Sequence, residues 1–216
     1  MQGRFSRVEP LDVQRHAADL HAAYQEAPDG RDWTYLSVER FSDFDSYRAY
    51  LDMAAAGSDP MHHAIIDLGT GKPAGTAALM RIDAGNGVIE VGQIAYSPRL
   101  RRTPAGTEAM FLLMRRVFDE LRYRRYEWKC DSLNAPSRAA AARYGFQFEG
   151  VFRQAVLYKR RNRDTAWFSI VDAEWPLIRA AFEAWLAPAN FDLAGRQQRS
   201  LGSIRAALSA SLKSAT

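Results

Sequence analysis

The spacing of apolar residues along the chain changes several times, and each change marks a new element. Residues 5–9 read as a short strand. Val13, Ala17, Leu20 and Tyr24 then recur at helical spacing behind Asp12, a good helix-capping side chain, until Pro28-Asp29-Gly30 ends the run. Phe44, Tyr47, Tyr50 and Leu51 predict a second helix, stopped by Gly57-Ser58-Asp59-Pro60, and an aromatic loop with Trp33, Tyr35, Leu36 and Phe41 joins the two. From His62 the period shortens. Residues 63–68, 73–82 and 88–96 read as three antiparallel strands, with turns at Gly69-Thr70-Gly71-Lys72 and Asp83-Ala84-Gly85-Asn86-Gly87. Met110, Leu113, Met114, Val117, Phe118 and Leu121 define one face of a long helix beginning near Pro104, and residues 126–130 form the next strand, parallel to the one before it. A short alanine-rich helix over 137–144 closes on Gly145. Strands over 148–159 and 165–171 make a hairpin across the basic turn Arg160-Arg161-Asn162-Arg163-Asp164, and a helix follows from Pro176 to Trp185.

These elements predict one domain over 1–187 and a polar extension over 188–216 with a candidate amphipathic helix at 200–212. The 216 residues, 47% hydrophobic, are ample for a packed core. No apolar stretch approaches the ~20 residues that span a bilayer, and Arg4, Arg7 and Glu9 stand where a signal peptide needs an apolar run. A lone Cys130 makes neither an internal disulfide nor a multi-thiolate cage, which fits a reducing compartment, so the cytoplasm is expected. His62-His63 lacks further ligands at metal-binding spacing, and no metal is expected. The net charge is +4, and only four of the 29 basic residues are lysines (Lys72, Lys129, Lys159 and Lys213). Arginine's planar fork suits phosphates and carboxylates, which raises an anionic ligand alongside the plainer reading of a solvated surface.

The chemistry concentrates in two stretches. Tyr96-Ser97-Pro98-Arg99-Leu100-Arg101-Arg102-Thr103-Pro104-Ala105-Gly106-Thr107-Glu108-Ala109 places arginines and small residues at a strand-to-helix junction, where free N–H groups and the helix dipole attract anions. Further on, Tyr126-Glu127-Trp128-Lys129-Cys130-Asp131-Ser132-Leu133-Asn134-Ala135-Pro136-Ser137 leads to Ala141-Ala142-Arg143-Tyr144-Gly145-Phe146. Together these resemble the GNAT acyltransferase superfamily, in which a strand leads into an Arg/Gln-x-x-Gly-x-Gly/Ala loop and a long helix, followed by Asn-x-x-Ser and a helix ending in Gly-Phe. Here Arg101-Arg102-Thr103-Pro104-Ala105-Gly106 match the loop, with Pro104 where Gly is usual; proline removes one N–H but suits the first helical turn. Gly106-Thr107-Glu108-Ala109 is similar to the helix entry of the RimJ/RimL-type branch, whose known members acetylate N-terminal amines of ribosomal proteins. The likeness runs over 64–171.

The resemblance implies an α/β fold of α+β type, with a central mixed, mostly antiparallel sheet split into a V and flanked by helices. It implies an N-acyltransferase that passes acetyl from acetyl-CoA to a primary amine, on a small molecule or a protein N-terminus, by direct attack in a ternary complex. Backbone groups of Ile94, Ala95 and Tyr96 would pair with the pantetheine arm, the loop Arg101, Arg102, Thr103, Pro104, Ala105, Gly106 and Thr107 would hold the pyrophosphate, and Asn134 and Ser137 would hold pantetheine. Glu90 is the first candidate base, with Glu127 and Asp131 as alternatives. Ser137 is either a donor to sulfur or a helix cap, and Tyr144 either protonates the thiolate or packs in the core. Trp33, Tyr35, Phe41 and Phe44 either line an acceptor groove or pack on the sheet. Trp185, Leu186, Phe191, Leu193, Leu201 and Ile204 supply apolar surface that a homodimer would cover. The competing reading is a non-catalytic module of the same fold, either an acyl-CoA sensor or a nucleic-acid binder using 153–163; nucleic acid is the less favoured partner.

Overall fold

The computed structural model describes residues 1–214. Seven strands form one sheet in the order β1 (Ser6–Pro10), β2 (Met61–Asp67), β3 (Lys72–Asp83), β4 (Val88–Tyr96), β5 (Arg125–Asp131), β7 (Arg161–Val171) and β6 (Gln147–Tyr158). All neighbours are antiparallel except β4 and β5. Two packed layers cover it. α1 (Val13–Gln25) and α2 (Phe44–Ala55) rest on β2 and β3, with Ala95 of β4 at their margin. On the opposite face, α3 (Pro104–Arg115), α4 (Ala135–Tyr144), α5 (Trp175–Leu186) and α6 (Leu201–Ser214) bury the main core. The mixed, mostly antiparallel sheet flanked by helices is the architecture the sequence predicts.

Local signals set most element ends. Asp12 caps α1 by accepting from the Arg15 amide, and Asp43 caps α2 by accepting from Ser46. α3 runs on into one π-helical turn over Arg116–Glu120. Two expectations shift. α4 starts two residues earlier than predicted, because Asn134 rather than Ser137 is its cap: the Asn134 carbonyl oxygen accepts from the Ser137 amide at 3.1 Å. The β6–β7 turn is also tighter, since Lys159 and Arg160 both adopt left-handed backbone and residues 161–164 join the strand.

Both chain ends are tied to helices. Met1 and Val8 exchange backbone hydrogen bonds, and the reversal between them wraps the Glu108 carboxylate of α3. That carboxylate, 3% exposed, accepts from the amides of Arg4, Phe5 and Ser6, each at 2.7 Å. A Cβ on Gly3 would stand 2.3 Å from Glu108 Cδ, so the reversal needs glycine there. At the other end, Arg205 of α6 donates to the carbonyls of Ala142 and Arg143, filling acceptors at the C-terminus of α4. Trp185, Leu201 and Ile204 are buried in the main core and Phe191 packs against it, so the segment expected to expose apolar surface packs mostly on its own domain, while Leu193 stays exposed.

Candidate active site at the strand split

The parallel pairing of β4 with β5 lasts four residues, from Val88–Arg125 to Val91–Trp128. Beyond that vertex the strands part, and the stretch from Gly92 to Tyr96 is bonded to β3 on one side only. A bulge sharpens the divergence: Ala78 pairs with Gly92 and Thr76 with Ala95, while Gln93 takes a left-handed φ of 50°. Ile94, Ala95 and Tyr96 therefore lie on the edge that opens away from β5, where the sequence places them. Ala95 O accepts from the Tyr24 hydroxyl at 2.9 Å, which pins α1 to this edge.

At the far end of β4 the chain enters α3. Thr103 caps the helix, its hydroxyl accepting from the Gly106 amide at 3.1 Å and donating to Leu100 O at 2.7 Å, with Pro104 at the first helical position. A Cβ on Gly106 would meet Leu100 O at 2.5 Å and the Tyr96 ring at 3.1 Å, so the close turn depends on glycine. The Tyr96 hydroxyl donates to Gly106 O at 2.9 Å. The amides of Arg102, Thr103 and Ala105 have no acceptor among the described residues. Arg102, left-handed at φ 60°, has no acidic partner there either. Arg101 is engaged with Asp32 and Arg99 with Glu26, tying this loop to the α1–α2 connection. Thr107 receives a hydrogen bond from Arg143 of α4 at 3.2 Å.

The vertex holds a chain of charges on the sheet face away from α3. Glu90 and Glu127 are register partners, and Lys129 Nζ bridges them at 2.9 and 2.8 Å while lying 3.7 Å from the centre of the Trp167 ring. Arg81 binds both Glu90 oxygens at 2.7–2.8 Å, and Arg125 joins Glu127 to Glu149. Burial pushes the Glu127 carboxyl up, but the cations Lys129 and Arg125 outweigh it and leave it below the usual range. Asp131 accepts from the Tyr158 hydroxyl at 2.9 Å; burial and that partnership push the phenol up.

On the core side of β5, Trp128 Nε1 donates to Ser137 Oγ at 2.9 Å, and the same hydroxyl lies against the Cys130 thiol, partly offsetting the upward push of burial on it. Tyr144 packs its ring against Trp128 and Phe182 with its hydroxyl by Thr107 and Arg143, and burial pushes its pKa up. It thus stands against the first turn of α3. Trp33 is buried in the cluster under α1 and α2, and Phe41 and Phe44 pack half-buried against it; Tyr35, also half-buried, stands outside that cluster and donates to Leu133 O. The sequence reading passed over Arg81, Lys129, Tyr158 and Trp167. The alternation Glu127, Lys129, Asp131 against Tyr126, Trp128, Cys130 carried the signal for one polar face.

A model of the GNAT acetyltransferase domain matches residues 7–147. The chain belongs to the GNAT acetyltransferase family. A GCN5-related N-acetyltransferase from Brucella melitensis is 50% identical and superposes with a TM-score of 0.93 over 95% of this chain and 93% of that one. A GNAT-family acetyltransferase from Chromobacterium violaceum is 42% identical, with a TM-score of 0.75 over 81% and 87% of the two chains. A Vibrio cholerae protein named as a ribosomal-protein-serine acetyltransferase shares the fold at 18% identity, with a TM-score of 0.66 over 79% of this chain and 95% of that one. A search of curated proteins finds no match. Acetyl-CoA is the co-substrate of the GNAT family, and the chain is an acetyltransferase. The unpaired β4 edge, the free amides at the start of α3 and the Gly106 cradle fit a pantetheine arm and a pyrophosphate. No described helix is long and apolar enough to cross a membrane, and no metal-binding cluster occurs among the described residues.

Proposed function

We propose that the protein transfers acetyl from acetyl-CoA to a primary amine, on a peptide or protein N-terminus or a small molecule, within a ternary complex. The observation that carries this reading is the split itself, with a buried carboxylate at its vertex and a cationic helix entry at its mouth. The amine lone pair attacks the thioester carbonyl carbon, a C–N bond forms, the C–S bond breaks, and the thiolate takes up a proton while the nitrogen loses one. Glu90 receives the amine's proton through a water, because Arg81 and Lys129 already hold its oxygens. Lys129 has a second effect: a fixed cation at the vertex disfavours an arriving ammonium, and so favours the neutral amine that can attack. Ser137 donates to the leaving sulfur, while Tyr144, its phenol raised by burial, keeps its proton and holds α4 against α3. Arg102 and the free amides of the α3 entry take the pyrophosphate. The Gly106-Thr107-Glu108-Ala109 entry and the shared fold with the Vibrio cholerae protein favour the RimJ/RimL-type branch.

The test is free-thiol release from acetyl-CoA in the presence of a panel of amines and N-terminally free peptides. Turnover on at least one acceptor, abolished when its amine is blocked, supports the reading. Acetyl-CoA binding without turnover on any of them overturns it.

A further inference from the structure

The second face of β7 carries polar groups that the fold leaves without partners. Ala166, Phe168 and Ile170 point into the core, so the alternate residues Arg163, Thr165 and Trp167 lie on the opposite face, shared with Asp131 and Lys129. Arg163 Nε, Thr165 Oγ1 and Trp167 Nε1 are buried and unbonded, and Thr165 is 4% exposed. Buried polar groups normally find partners. Three in a row on one strand face, running toward the Glu90–Lys129 vertex, they are closed off from solvent, with Trp167 against Phe152 and Lys129, so anything that docks here meets the arginine heads around them.

Charge says what that something is. Between Arg153 and Arg163 the hairpin has five cations and no acid. Lys159 pairs with Glu39, and Arg161 donates to Thr34 O and the Tyr158 hydroxyl, so these two close the hairpin onto the α1–α2 loop. Arg153 is drawn to Asp164 of β7, whereas Arg160 and Arg163 make no ion pair among the described residues. A cationic polyamine would be repelled along this whole approach, whereas an extended chain bearing carboxylates would be drawn to it.

We propose that the acceptor is an acidic peptide. Its carboxylates meet Arg153, Arg160 and Arg163, and its terminal amine enters at the vertex. This rests on the N-acetyltransferase reading, yet it can be tested apart from turnover. Fluorescently labelled peptides with free N-termini, one Glu/Asp-rich and one Lys-rich but otherwise matched, are titrated against the protein with and without coenzyme A, and then assayed for acetyl transfer.

The acidic peptide should bind about tenfold more tightly at low salt, as expected for a few rim ion pairs. Arg153→Gln combined with Arg160→Gln, and separately Arg163→Gln, should remove that preference without changing acetyl-CoA affinity. Equal binding, a preference for the basic peptide, or a preference that survives all the arginine substitutions overturns the proposal. So does a single-stranded oligonucleotide of equal charge that displaces the acidic peptide at lower concentration. If the acidic peptide binds as expected but is never acetylated while another amine is, the N-acetyltransferase reading stands and the acidic peptide is overturned as the acceptor.

Discussion

Strand β5 presents two different environments one residue apart. On one face Tyr126, Trp128 and Cys130 sit among Phe118, Tyr144 and Phe146, held by packing. On the other, Glu127, Lys129 and Asp131 sit among Glu90, Arg81, Arg125 and Tyr158, held by opposite charge. The packed face tolerates similar shapes, since dispersion and burial are not directional. The charged face tolerates almost nothing, because deleting one member leaves its neighbour buried and uncompensated. A strand can thus carry stability on alternate residues and chemistry on those between.

The sharpest way to test that division is Glu90→Gln. It keeps the shape at the vertex and removes the proton acceptor, so kcat should fall by about 10²–10⁴-fold while acetyl-CoA affinity holds. Near-normal turnover would move the role to Glu127, Asp131 or bulk water. Next, Lys129→Met should destabilise by about 3–5 kcal/mol in denaturant titration, because Glu90 and Glu127 would then face each other without their shared cation. A conservative change on the packed face, Cys130→Ala, should cost clearly less, and equal losses would erase the distinction between the faces.

pH probes the packed side independently. His63 is buried with Nδ1 unbonded, and burial pulls its pKa down to about 4. The unfolded chain takes up a proton near the ordinary value of 6.5 while the folded one resists, so this stability is present above pH 6.5 and drains away toward pH 4. The full loss is on the order of 3 kcal/mol, and His63→Gln should flatten the fall in Tm over that window.

At the cofactor loop, Arg102→Ala should weaken acetyl-CoA binding by about 1.5–3 kcal/mol in calorimetry. Arg101→Ala is less clean, since it also releases Asp32. The smallest effect is Thr103→Ala, which removes the α3 cap and should lower stability by about 1 kcal/mol.

The period changes at His62 and Met110 made the strands and α3 legible, because burying one face leaves a periodic trace in the sequence. The loop from Arg101 to Gly106 was legible for the same kind of reason: helix entries need particular residues at fixed offsets. The vertex was legible only in part. Glu90 could be found as a carboxylate on an apolar strand, but its fixation by Arg81 and Lys129 depends on register between β3, β4 and β5, which no local pattern encodes. Trp33 and Phe41 read equally well as surface or core because tertiary packing alone decides between the two.

The clasp around Glu108 has a practical corollary for anyone preparing variants. Residues 1–6 look dispensable by position, yet removing them would strip three amide donors from a carboxylate buried one turn inside the helix that opens onto the cofactor loop. Trimming there would act like a core substitution, and the loss would be read out one turn away, at the start of α3, as a weakened grip on acetyl-CoA.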